Sequence, residues 1–133
     1  MCSFGYELDI GKLTDEERNQ IKEQIAHHRE LEPLIRDGEF YRLLSPFTGN
    51  ICSWELVSAG RHRAYVMAAF QSTTAAAPAQ YLRLQGLDPN ARYHIVQLGI
   101  TLGGDTLMNA GLPLVMPFGD YTCVAFDFIR VED

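Results

Sequence analysis

Much of what gives a 133-residue chain an obvious chemistry is missing from this one. Its three cysteines, Cys2, Cys52 and Cys123, fit no CxxC or zinc spacing and cannot all pair, so neither a disulfide framework nor a structural zinc site is expected. Basic residues are in deficit, 11 against 17 acids, for a net charge of −6. A nucleic-acid or anionic-membrane surface needs clustered Lys and Arg, so neither partner is expected. No apolar run approaches the ~20 residues of a membrane span. No basic segment leads into an apolar one, so no signal peptide is read and the expected location is cytoplasmic. HExxH, GxSxG, Walker A and GxGxxG motifs are all absent.

What is present reads as one globular domain. Apolar residues make up 47% and charged residues 21%, ordinary for a packed chain. At this length roughly two-thirds of the unfolded surface can be buried without staples. The acidity is local: Thr14 to Glu39 holds eight acids and four bases, net −4, which leaves −2 for the remainder. That is the signature of a solvated helix beside a weakly charged body.

Thr14-Asp15-Glu16-Glu17 is a capping box, with three acids in the first turn to suit the positive end of the helix dipole. Ile21, Ile25, His28 and Leu31 follow at helical spacing, so a helix is expected from about Asp15 to about Glu32. Pro33 should end or kink it, and Gly38 is the final stop. Before the helix, Phe4, Tyr6, Leu8 and Ile10 alternate with Gly5, Glu7 and Asp9 as a short strand stub with no earlier strand to pair with.

Beyond Gly38 the period changes from 3.6 to 2. Strands are expected over 40–44, 52–57, 64–70, 81–84, 93–98 and 121–131. Between them fall loops at 45–50 and 72–78 and turns at Gly60-Arg61, at Asp88-Pro89-Asn90-Ala91 and at Gly119-Asp120. Gly103-Gly104 and Gly111 break a mixed segment. Short strands at this spacing define a mainly β fold: an antiparallel sandwich of Greek-key type, preceded by the strand stub and one amphipathic helix.

Candidate chemistry is thin. The carboxylates considered for acid–base work are Glu7, Asp9, Asp105, Asp120 and Asp127. Asp105 and Asp120 follow turn glycines and are expected to bond their own backbone. Asp127 lies opposite Phe126 and Phe128 and is expected to face solvent or a neighbouring strand. His27 and His28 diverge by about 100° on a helix and cannot share a metal. Of the aromatics, Trp54 and Tyr65 are candidate stacking residues for a sugar, although rings spread over several strands more often fill a sandwich core. No catalytic, cofactor or metal residue is assigned.

Several runs carry more than pattern: Phe4-Gly5-Tyr6-Glu7-Leu8-Asp9; Leu13-Thr14-Asp15-Glu16-Glu17; Gly38-Glu39-Phe40-Tyr41-Arg42-Leu43-Leu44-Ser45-Pro46-Phe47; Gly86-Leu87-Asp88-Pro89; and Gly104-Asp105-Thr106-Leu107-Met108-Asn109-Ala110-Gly111-Leu112. Taken in this order they resemble the C-terminal end of glycoside hydrolase family 36 α-galactosidases, although Leu102 stands where that pattern has an aromatic. The resemblance implies that residues 1–38 are a remnant of the last βα unit of a (β/α)8 barrel and residues 39–133 a C-terminal β-sandwich. It also implies a retaining parent enzyme that removes terminal α-galactose from raffinose- or melibiose-type sugars. The family's catalytic aspartates sit on earlier barrel strands, and no position here matches either motif.

Two roles follow as expectations. One is a non-catalytic domain that packs against and stabilises the barrel; the other is a carbohydrate-binding module built on surface aromatics. The face around Phe4, Tyr6, Ile21 and Ile25, left uncovered by the missing barrel, is expected to meet the sandwich or a second copy of the chain, as a homo-oligomer.

Overall fold

A computed structural model describes residues 5–72, 80–114 and 119–132. The expected loop over 72–78 therefore falls, apart from Ser72, outside the described residues, as do Cys2 and Phe4. The chain divides after Gly38 into two compact units.

In the first unit the expected stub forms no strand: Gly5–Asp9 carry no regular structure, because a strand needs an edge to pair with. Ile10–Lys12 instead make a 3₁₀ turn, with the Asp9 carboxylate accepting from the Gly11 N–H at 3.1 Å. Helix α1, Asp15–Asp37, opens on the predicted box. The Thr14 hydroxyl accepts from the Glu17 N–H at 3.2 Å, and the Glu17 carboxylate accepts from the Thr14 N–H at 2.8 Å. The Thr14 N–H, and then the Thr14 hydroxyl at 2.9 Å, donate to the Glu17 carboxylate and hold its pKa below its usual value.

The helix does not end at Pro33. It runs through to Gly38, whose N–H donates to the Leu34 carbonyl at 3.0 Å. An interior proline costs about 3 kcal/mol. Leu31 and Leu34 lie on either side of it, each 5% exposed. Burying two leucines contributes about 1.5–3 kcal/mol each, enough to keep the helical phase across Pro33.

The second unit is a two-layer antiparallel sandwich. Its main sheet holds β1 (Glu39–Leu44), β2 (Ile51–Val57), β3 (Arg63–Phe70), β5 (Arg92–Ile95), β6 (Ile100–Gly103) and β8 (Thr122–Val131), in the order β1-β2-β3-β8-β5-β6. The last strand is thus inserted between β3 and β5. The second layer is a two-stranded sheet of β4 (Gln80–Leu82) and β7 (Leu112–Leu114), together with the short helix α2 (Gly104–Asn109). Between the layers lie Val57, Val66, Phe70, Phe126 and Phe128 from the main sheet and Leu82, Leu84, Leu107 and Leu112 from the cover.

Three local differences from the sequence reading have physical causes. The expected strand over 93–98 is a hairpin: β5 ends at Ile95 and the chain turns through Gly99, at φ +64°, into β6. Leu84 is buried outside any strand because its N–H donates to the Leu107 carbonyl at 3.1 Å. In β1 a bulge lies between Arg42 and Leu44, so that Leu43 and Leu44 both pack against the core. The Asp88 turn forms as expected, its carbonyl and carboxylate accepting from the Ala91 and Asn90 N–H groups.

Candidate functional site

The site is set by which side of β2 faces in. Ile51, Ser53, Glu55 and Val57 alternate with Cys52, Trp54 and Leu56, and a strand puts these sets on opposite faces. Ile51 and Val57 belong to the core, so Ser53 and Glu55 point inward with them and Trp54 points outward.

On the outer face Arg42 of β1 sits opposite Trp54, and the β1–β2 loop carries Pro46 and Phe47. Together with Phe40 and Cys52 they line an open groove of about 490 Å³. Phe47 is 96% exposed and Phe40 48%, which is unusual for phenylalanine. Of the two candidate stacking residues, the groove takes Trp54 and not Tyr65. Tyr65 shares the outer face, opposite Leu56 and Asp127, but is buried. Burial, and then the Asp127 charge, raise its phenol pKa.

The carboxylates considered from sequence are dispersed. Asp9 caps the 3₁₀ turn and pairs with Lys12 at 3.6 Å, while Glu7 is exposed. Asp105 lies in the first turn of α2, where it accepts from the Thr106 hydroxyl, and Asp120 lies in the bend before β8. Asp127 faces a neighbouring strand: the Arg63 Nε donates to it at 2.9 Å in a two-point ion pair across β3 and β8. No group of His, Cys, Asp and Glu with metal-binding geometry occurs among the described residues. Cys52 and Cys123 are both thiols and flank Ala69, one strand away on each side. Two strand spacings are about 9.5 Å, beyond disulfide reach.

The carboxylate that pattern reading passed over is Glu55. It is 0% exposed, and its Oε2 accepts from the Gln85 N–H at 2.8 Å. Oε1 is buried without a hydrogen-bond partner among the described residues. Burial pushes its pKa up to about 8 against the partial opposition of the Gln85 N–H, so the group is mostly neutral at pH 7. Tyr41 stands beside it on β1, with its phenol committed to Glu39. The available signal was its in-step spacing with Ile51 and Val57.

The fold and these two faces define an antiparallel β-sandwich domain with an aromatic groove on one side and a buried acid on the other. A family model, the glycosyl hydrolase family 36 C-terminal domain, matches residues 51–128. The chain belongs to that family. It is 48% identical over 130 residues to α-galactosidase AgaA of Geobacillus stearothermophilus, an alignment covering 98% of this chain and 18% of that protein. It is 38% identical over 131 residues to the bifunctional α-galactosidase/sucrose kinase AgaSK of Mediterraneibacter gnavus, covering 98% of this chain and 14% of that protein. Among solved structures, the α-galactosidase AgaB of Geobacillus stearothermophilus superposes with a TM-score of 0.91 at 48% identity, over 96% of this chain and 18% of that one. The chain therefore spans less than a fifth of the length of these relatives. No described helix is long and apolar enough to cross a membrane.

Proposed function

We propose that this chain is the C-terminal sandwich of a longer α-galactosidase and works there as a non-catalytic scaffold docked against the enzyme's (β/α)8 barrel. In this reading residues 1–38 are the barrel's last βα unit, residues 39–133 the sandwich, and the parent a cytoplasmic enzyme that removes terminal α-galactose from raffinose- and melibiose-type sugars. The observation that carries the docking role is the Phe40–Phe47–Trp54 groove. Nearly full exposure of Phe47 leaves apolar surface that a partner face would cover. Alpha-galactosidase names recur among the relatives, each several times longer than this chain. Without a barrel the same groove favours self-association.

The groove also supports a second reading. Trp54 and Phe47 offer aromatic faces and Arg42 a donor, the means by which a carbohydrate-binding module holds a sugar. Calorimetric titration of the chain with galactose, raffinose and galactomannan separates the two. The scaffold role gives flat traces; a saturable heat abolished by Trp54→Ala replaces it with sugar binding.

A further inference from the structure

We infer that Glu55 is a proton-operated latch: in its neutral form it clamps the Arg83–Leu87 segment onto β2, and loss of its proton frees that segment. This goes beyond the docking reading and does not depend on it.

The geometry is one-sided. Glu55 touches the segment through a single hydrogen bond, from the Gln85 N–H to Oε2. Its other oxygen faces the interior with no partner among the described residues. A neutral carboxyl tolerates that environment; a buried carboxylate with one donor does not.

Among the described residues the surrounding elements supply no compensating charge. From β1, Tyr41 lies directly opposite, and its hydroxyl donates to Glu39, itself an acid. From β3, the partner is Val66. From the segment, Leu84 and Leu87 are buried and Arg83 is exposed. Arg61, in the β2–β3 turn, is the cation whose charge reaches Tyr41; the influences on Glu55 are burial and the Gln85 N–H. The raised pKa of Glu55 is what this arrangement requires.

The segment is tied down at two further points. Gly86 is left-handed, at φ +69°, and a Cβ there would stand 2.5 Å from the Tyr41 hydroxyl oxygen, so the backbone passes close to that side chain. Further on, the Leu84 N–H bonds the Leu107 carbonyl. In this reading an ionised Glu55 reaches water by the lifting of residues 83–87.

The sign follows from linkage. The folded pKa lies above that of an exposed glutamate, so the clamp is at full strength in acid and weakens as pH rises towards about 8. Between these limits each pH unit raises the opening constant about tenfold, and above the folded pKa the effect levels off.

Amide hydrogen exchange on the 133-residue chain between pH 5 and 9 is the test. Protection factors of residues 83–87 should fall about tenfold per pH unit and then level near pH 8, while amides of β3 and β8 remain better protected at every pH. In Glu55→Gln, which keeps a neutral group of the same shape, the fall should vanish. Protection that stays flat in the unaltered chain overturns the latch. So does the same fall in Glu55→Gln, or exchange of 83–87 only together with the β3–β8 core. Should Glu55→Gln fail to fold, a carbon-detected titration of the Glu55 carboxyl in the unaltered chain decides. A proton retained past pH 7 supports the latch, and full ionisation by pH 6 ends it.

Discussion

Phe128→Ala is expected to destabilise the sandwich by about 3–5 kcal/mol, the range for emptying a large aromatic site in a packed core. Phe128 is 0% exposed and sits on the central strand β8, opposite Ala64 on β3 and Ile95 on β5. Both cross-strand neighbours are held by full ladders, so the sheet cannot collapse into the space the ring leaves. The next residue makes the contrast. Ile129 is 38% exposed on the opposite face, and Ile129→Ala should cost under about 1 kcal/mol. Urea denaturation of the two variants reads the difference directly, and similar midpoints would show that the inward face of β8 has been assigned wrongly.

Gly104→Ala should cost about 3 kcal/mol, the upper range for overpacking, although it adds a single methyl. A Cβ at Gly104 would lie 2.1 Å from the Asp88 carbonyl oxygen and 3.1 Å from the Tyr93 ring. Neither neighbour can yield. The Asp88 carbonyl also accepts from the Ala91 N–H, and the Tyr93 hydroxyl donates to the Arg61 carbonyl while accepting from the Asp88 N–H. Gly104 itself donates to the Ala91 carbonyl at 2.8 Å. The control is Gly99→Ala: its φ of +64° carries a left-handed strain of about 1–2 kcal/mol, but a Cβ there meets nothing within 4 Å. Equal losses for the two variants, measured by chemical denaturation, would mean that the close approach of α2 to the Asp88 turn does not exist in solution.

These glycines give the family resemblance a physical reading. In the run from Gly104 to Leu112, Gly104 starts α2 against the Asp88 turn, and Leu107 fills the core. Gly111, at φ +87°, brings the chain within 2.9 Å of the Leu82 carbonyl, measured from where a Cβ would stand. A run whose residues each answer a backbone constraint is recognisable when its purpose is not.

Legibility elsewhere followed the strength of the local signal. The capping box at Thr14 was explicit, because its two hydrogen bonds join residues three apart. Pro33 misled, because its local cost was visible while the burial of Leu31 and Leu34 was not. Val96-Gln97-Leu98 extended the β5 pattern past its end, and only Gly99 marked the turn. Asp127 was placed correctly on a face, although its partner Arg63 stands 64 residues away in sequence.

The site was the least legible part. Cys52, Trp54 and Leu56 are more apolar as a set than Ile51, Ser53, Glu55 and Val57, so alternation alone points to the wrong inward face of β2. Phe70 of β3 and Tyr41 of β1, opposite Ile51 and Glu55, settle it through contacts that no local window contains. The buried acid and the exposed groove are two consequences of that single choice of face.

Trp54 is the chain's only tryptophan and reports on this choice by itself. In the folded monomer, at a dilution where the chain does not self-associate, its emission should be that of a half-exposed indole and should be quenched by acrylamide before any unfolding. A blue-shifted emission that acrylamide reaches only after denaturation would place Trp54 inside and Glu55 outside, and contradict both the groove and the latch.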